Sequence, residues 1–228
     1  MGVKIIFSDI DGTFLTEDHR VTDQTAWAVK ELLSRGIPFV LVSARMPEAI
    51  YPITDRMGIR IPVISYSGAL VLTEDGSVLY NKTLPETPCR EVLRAIRDRW
   101  PMVTVNYYAG RTWYVQSVDP YVQKEMEITG ASAVCANFST LMGKGEWPNK
   151  ILVMAEPAMC EEMEDSLGKE FPGLHVVRSS AYLLEIMDRS VSKASGVEAM
   201  LKHFGWKAED AVGFGDNYND AEMLAYVG

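Results

Sequence analysis

Cysteine is scarce in this sequence, with three residues among 228, at positions 89, 135 and 160. No two of them form a C-x-x-C pair, which excludes the common zinc knots and redox dithiols. A small and odd number of cysteines is typical of a reducing compartment, where cysteines pack as small apolar residues. We therefore expect a cytoplasmic protein.

Positive charge and long apolar runs are also in short supply. Lysine and arginine number 22 against 31 acidic residues, which gives a net charge of −9. This balance disfavours nucleic-acid binding through a basic field, so we expect no nucleic-acid partner and a local site for any anionic ligand. Asp9 and Asp11 interrupt the first apolar run, far short of the about 20 residues of a membrane span, so we expect no signal segment and no membrane partner.

The sequence does contain a regular alternation of short apolar strands and amphipathic helices near both of its ends. Apolar residues make up 47% of the chain, enough for a sizeable core. Such β–α–β units predict an α/β fold with a Rossmann-like, doubly wound parallel sheet, built from residues 1–83 and 189–228. The predicted elements are strands at 3–7, 39–42, 62–65 and 211–214, helices at 22–36, 47–57 and 192–204, and a hairpin at 70–72 and 78–80.

Residues 84–188 have a different pattern, in which half-exposed strands replace the buried ones. Helical spacing at 92–100 precedes alternating segments at 103–107 and 112–116, which predict a hairpin. A strand at 150–154, a helix at 157–169 and strands at 175–178 and 182–186 follow. We expect this block to be an inserted α+β domain.

Two acidic residues follow the first predicted strand in the motif Asp9-Ile-Asp11-Gly12-Thr13. Residues two apart on a strand point the same way, so both carboxylates are expected to face one spot. Adjacent carboxylates repel unless a cation lies between them, and hard oxygen ligands suit magnesium. Taken alone, the motif is more typical of a polar turn in which Asp and Gly are turn formers.

Other strand ends favour a shared site over a simple turn. Ser43 follows the second strand, and Asp216 and Asp220 follow the last one. Ligands of open parallel sheets bind at the carboxyl ends of the strands, so these side chains are expected to converge. Lys193, just ahead of a helix, can add a positive charge. Carboxylates, a hydroxyl, a lysine and a metal ion together suit a phosphoryl group.

The four ordered segments resemble the haloacid dehalogenase-like phosphatases, and the insertion resembles the large cap of their Cof-type, sugar-phosphatase branch. This resemblance implies a nucleophile at Asp9 and a general acid and base at Asp11, with Ser43 and Lys193 completing the catalytic set. It implies magnesium held by Asp9, the backbone carbonyl of Asp11 and Asp216, with Asp220 orienting the lysine or a metal-bound water. The residues implied in phosphate or substrate binding are Gly12, Thr13, Ser43, Ala44, Arg45, Lys193 and Asn219.

The chain departs from the family pattern at three points. Ser43-Ala44-Arg45 replaces the usual Thr-Gly-Arg and keeps the hydroxyl, and Ser67-Gly68 replaces a common Asn-Gly. Relatives continue beyond the fourth motif, whereas this chain stops at Gly228. That stop indicates either a truncation or a differently built sheet edge. We expect residues 221–227 to form a short helix with one apolar face.

The predicted function is a magnesium-dependent phosphatase acting on a small phosphorylated metabolite through an aspartyl-phosphate. A phosphotransferase or phosphomutase would share every motif. A receiver domain of signalling proteins also combines acidic residues, a hydroxyl and a lysine, but such a domain is shorter and has no insertion. The sequence specifies neither the substrate nor the oligomeric state.

Overall fold

The computed structural model describes residues 2–228. The chain divides into two compact units, one formed by residues up to Asn81 together with Val191–Gly228, and the other by Lys82–Ser190. Among the residues described, no helix combines the length and the apolar character needed to cross a membrane.

The first unit is built around a six-stranded sheet, whose elements are numbered along the whole chain. Its strands are β1 (Ile5–Asp9), β2 (Phe39–Val42), β3 (Val63–Ser65), β4 (Leu70–Leu72), β5 (Val78–Asn81) and β12 (Ala211–Phe214). Its helices are α1 (Asp23–Ser34), α2 (Pro47–Met57), α7 (Lys193–Phe204) and α8 (Ala221–Tyr226). The strand order is β12-β1-β2-β3-β4-β5; the first four strands pair in parallel, whereas the β3–β4 and β4–β5 pairs are antiparallel.

This sheet confirms the predicted α/β fold with a parallel core. Strands β1, β2 and β3 are buried at every residue, which explains their continuous apolar runs. The Thr22 side chain accepts a hydrogen bond from the Thr25 amide at the start of α1, as a helix cap does. The short helix expected at 221–227 is α8; its Met223 is buried, while Leu224 is 39% exposed.

The second unit contains a separate six-stranded sheet in the order β10-β11-β9-β6-β7-β8, antiparallel except between β7 and β8. Its strands are β6 (Thr104–Ala109), β7 (Thr112–Val115), β8 (Ala133–Cys135), β9 (Lys150–Met154), β10 (Leu174–Ser180) and β11 (Leu183–Asp188). Its helices are α3 (Glu86–Arg99), α4 (Pro120–Thr129), α5 (Phe138–Gly143) and α6 (Pro157–Glu170). Apolar residues of α3, α5 and α6 form one core with this sheet.

Two glycines allow the start of α7 to approach the turn that follows β3. A Cβ atom on Gly68, whose φ is +109°, would lie 2.0 Å from the Ser192 carbonyl oxygen. A Cβ atom on Gly196 would lie 2.5 Å from Cγ2 of Ile64 and 2.9 Å from the Cα of Gly68. Any larger residue would therefore push α7 away from the sheet.

We expect Gly196→Ala to destabilise the protein by about 3 kcal/mol, because the added methyl group meets both the buried Ile64 side chain and the backbone of Gly68. Gly168→Ala is the matched control, since Gly168 also lies inside a helix but a Cβ atom there would have no neighbour within 4 Å. The control should gain about 0.5–1 kcal/mol. Urea unfolding of both variants measures this; equal midpoints would contradict the close approach of α7.

Candidate functional site

Three strand ends carry the side chains of the candidate site to one edge of the first sheet. β1 pairs in parallel with β12, with Ser8 opposite Phe214, and with β2, with Asp9 opposite Val42. Ser43 and Asp216 therefore follow strands that flank β1. This register explains how residues more than 200 positions apart in the sequence meet in the fold.

A buried lysine joins two of the carboxylates. Nζ of Lys193 donates to Oδ1 of Asp9 at 2.5 Å and to Oδ1 of Asp220 at 2.6 Å. The Lys193 and Asp220 side chains are 1% and 0% exposed. Lys193 is the first residue of α7, which begins with a capping box between Ser192 and Ser195. The helix start thus fixes the backbone from which the ammonium group reaches both acids.

The burial of Asp9 and its charged neighbours shift the pKa of its carboxyl group. Burial raises the pKa of the Asp9 carboxyl above its usual value, and the nearby charge of Asp220 acts in the same direction. The hydrogen bond and positive charge of Lys193 oppose that rise. A hydrogen bond from the backbone amide of Ile10 to the Asp9 carboxyl also lowers its pKa.

Asp220 organises the loop that carries Asp216. Its Oδ2 accepts hydrogen bonds from the amides of Asp216 at 3.2 Å and Asn217 at 3.0 Å, while Oδ1 accepts from Lys193. A Cβ atom on Gly215 would lie 2.5 Å from the Cβ of Asp220, so only glycine fits there. Both oxygens of Asp220 are therefore engaged within the protein.

The Asp216 carboxylate is held against the turn after β1. Oγ1 of Thr13 donates to its Oδ1 at 2.7 Å. A Cβ atom on Gly12, whose φ is +86°, would lie 2.3 Å from its Oδ2. One oxygen each of Asp9, Asp216 and Asp220 lies within 4.8 Å of the others. Such hard oxygen donors fit a magnesium ion. Because both oxygens of Asp220 already accept hydrogen bonds, Asp9 and Asp216 are the candidate ligands.

Ser43, Ala44 and Asn219 differ in their exposure. Ser43 is 2% exposed, and its Oγ accepts a hydrogen bond from the Arg45 amide at 3.1 Å. Ala44 is half-buried, whereas Asn219 is exposed on the loop after β12. Ser43 and Asn219 follow β2 and β12, the two strands that flank β1.

The carboxylate of Asp11 does not belong to the three-carboxylate group. β1 ends at Asp9, and Asp11 lies in a turn where it forms an isolated bridge with Leu15. The strand alternation that would aim both acids at one spot therefore stops before Asp11. Its oxygens accept from Nε and Nη2 of Arg45 at 2.8 and 2.5 Å. Sequence reasoning missed this pair, because nothing in the motif spacing indicates it.

We expect Lys193→Met to lower the free energy of unfolding by about 3–5 kcal/mol, because it leaves Asp9 and Asp220 buried without a counter-charge. Adding Asp220→Asn to that variant removes one of the two like charges and should recover part of the loss. Chemical denaturation measures both variants. If the free energy of unfolding of Lys193→Met alone stayed within about 1 kcal/mol of the wild-type value, this would contradict a buried charge bridge.

Comparison with known proteins identifies the family. The family of haloacid dehalogenase-like hydrolases matches residues 6–228. A Haemophilus influenzae protein provisionally named a phosphatase is 32% identical over 229 residues, covering 100% of this chain and 86% of the relative. The HMP-PP phosphatase of Serratia proteamaculans is 26% identical, covering 96% of this chain and 80% of the relative.

Solved structures share this fold. A haloacid dehalogenase-like hydrolase from Bacteroides thetaiotaomicron is 24% identical with a TM-score of 0.86, over 99% of this chain and 86% of that one. A structure described as a subclass IIB sugar phosphatase of the same superfamily is 22% identical with a TM-score of 0.80, over 99% of this chain and 85% of that one. The resemblance drawn from the four motifs is confirmed: the chain belongs to the haloacid dehalogenase-like hydrolases.

Proposed function

We propose that this hydrolase is a magnesium-dependent phosphatase that removes the phosphoryl group from a small phosphorylated metabolite through an aspartyl-phosphate on Asp9. The observation that carries the proposal is the buried Asp9 carboxylate, bound on one oxygen by Lys193 and close to Asp216. The phosphatase names of its relatives support the same reaction class.

In the first half-reaction, an oxygen of Asp9 attacks phosphorus while the bond from phosphorus to the leaving oxygen breaks. Asp11 donates a proton to that leaving oxygen. In the second half-reaction, Asp11 accepts a proton from a water molecule, whose oxygen attacks phosphorus and releases inorganic phosphate from Asp9. One acid–base residue therefore serves both halves, and Asp9 and Asp11 return to their starting states.

The carboxylates of Asp9 and Asp216, with the backbone carbonyl of Asp11, would hold the magnesium ion. A bound magnesium ion screens the repulsion between an anionic nucleophile and an anionic phosphoryl group. Lys193 adds a positive charge on the other oxygen of Asp9, and Asp220 keeps that lysine in place. Ser43, Asn219 and the turn segments Gly12-Thr13 and Ala44 would contact the phosphoryl oxygens.

We assign residues 84–188 to a cap domain that selects the substrate. The second unit has a hydrophobic core of its own around its own sheet, which supports its assignment as a separate domain. Among the relatives, the Serratia protein is named an HMP-PP phosphatase and one structural neighbour a sugar phosphatase. A sugar phosphate or another small phosphate monoester is therefore the substrate class to test first.

The direct test of the function is phosphate release from a panel of phosphorylated metabolites, with magnesium and with a chelator. We expect at least one sugar phosphate or similar monoester to be hydrolysed only when magnesium is present. Activity that survives complete removal of divalent ions would contradict the magnesium requirement. Absence of phosphate release from every monoester, including an activated aryl phosphate, would contradict the phosphatase function.

Asp9→Asn should reduce kcat by a factor of about 1,000 or more, because it removes the attacking charge and a magnesium ligand. The control is Asp55→Asn, which changes an exposed carboxylate on α2 and should leave kcat unchanged. Steady-state phosphate release measures both variants. An Asp9→Asn protein with more than a tenth of wild-type kcat would place the nucleophile elsewhere.

A further inference from the structure

The contact between Asp11 and Arg45 joins the exits of two neighbouring strands. Asp9 at the end of β1 lies opposite Val42 at the end of β2, so Asp11 and Arg45 follow paired positions. Nε of Arg45 donates to Oδ2 of Asp11 at 2.8 Å, and Nη2 donates to Oδ1 at 2.5 Å. This is a two-bond fork, which fixes the orientation of a carboxylate as well as its position.

The backbone of Arg45 is anchored on both sides of its side chain. Its amide donates to Oγ of Ser43 at 3.1 Å, and its carbonyl oxygen accepts from the Tyr66 amide at 3.1 Å. The next amide, of Ser67, donates to the Ser43 carbonyl oxygen at 2.9 Å. Tyr66 and Ser67 hold φ values of +50° and +52°, a left-handed conformation that is costly for residues other than glycine. A strained turn after β3 thus holds the segment from which Arg45 projects.

Asp11, by contrast, has little else to orient its side chain. It is 44% exposed and lies in a turn. The His19 Nδ1 atom lies 3.7 Å from its Oδ1, beyond hydrogen-bond distance, and that imidazole is 73% exposed. An exposed pair at such a distance contributes little. The guanidinium of Arg45 is therefore the group that determines where the Asp11 carboxylate lies.

We propose that Arg45 is a positioning residue that holds the Asp11 carboxylate for proton transfer, and that it does not serve chiefly as a phosphate ligand. The inference rests on the proposed function, in which Asp11 protonates the leaving oxygen. Nε and Nη2 of Arg45 both donate to Asp11, so these two donor atoms are directed at that carboxylate and not at a phosphoryl group. Misplacing a reacting group by about 1 Å can cost about 100-fold in rate.

The first experiment compares two leaving groups, an alkyl phosphate hydrolysed by the wild type and p-nitrophenyl phosphate. An alkoxide needs a proton to leave, whereas p-nitrophenolate leaves without one. We expect Arg45→Met, which keeps the apolar stem, to lose about 100-fold in kcat/KM on the alkyl phosphate and far less on p-nitrophenyl phosphate. Arg45→Lys should recover part of the loss, because an ammonium group can reach one oxygen of Asp11.

A phosphate-binding role predicts a different pattern. Arg45→Met would then lose equally on both substrates, and inorganic phosphate would inhibit it more weakly than the wild type. Either result would overturn the positioning role. Arg56→Ala, which removes an exposed arginine from the last turn of α2, is the matched control and should behave as the wild type.

The second experiment is a double-mutant cycle with Asp11→Asn on the alkyl phosphate. If Arg45 acts through Asp11, the pair Arg45→Met and Asp11→Asn should be no slower than Asp11→Asn alone. If the rate losses of Arg45→Met and Asp11→Asn multiply in the double variant, the inference is overturned. If the wild type hydrolyses neither phosphate, the proposed function itself fails. If the wild type is active, Asp9→Asn is inactive and the losses of the two single variants multiply in the double variant, only the role of Arg45 is refuted.

Discussion

The structure of the site depends on one buried cation between two buried acids. Lys193 is 184 residues from Asp9 and 27 from Asp220 in the sequence. Its two hydrogen bonds therefore connect the last third of the chain to the first strand. Desolvating three charged groups is costly unless their geometry is good, and here the ammonium group lies within 2.6 Å of both oxygens. The surrounding packing serves this geometry: Gly68 and Gly196 let α7 approach the sheet, and Gly215 makes room for Asp220.

The two acids of the first motif occupy contrasting environments, and each has its own basic partner. Asp9 is 6% exposed and binds a compact ammonium group, whereas Asp11 lies in an exposed turn and binds a planar guanidinium. Two carboxylates in different surroundings can take different chemical roles in one reaction. A buried, oriented carboxylate suits attack on phosphorus. A solvent-accessible carboxylate suits the exchange of protons with a leaving group and with water, and the Arg45 fork fixes its orientation.

Patterns local in the sequence predicted the parts of the fold that depend on local physics. Buried parallel strands appear as apolar runs, and helix caps such as Thr22 and Ser192 mark the starts of α1 and α7. Helices α4 and α5 and strand β8 were missed. α4 buries one residue, Val122, and β8 buries none, so neither shows a strong periodicity, and α5 has only six residues. The requirements for Gly196 and Gly215, and the direction of the Asp11 side chain, come from tertiary contacts that no spacing in the sequence encodes.

The central claim is that Asp9 receives the phosphoryl group. Rapid acid quench of the Asp11→Asn variant with p-nitrophenyl phosphate tests it most directly. This variant lacks the base of the second half-reaction, and the p-nitrophenolate leaving group needs no proton in the first. Peptide mapping by mass spectrometry should find one phosphoryl group on the peptide of β1, attached to Asp9. A phosphoryl group on any other residue, or turnover at the wild-type rate without a phosphorylated protein, would contradict the account.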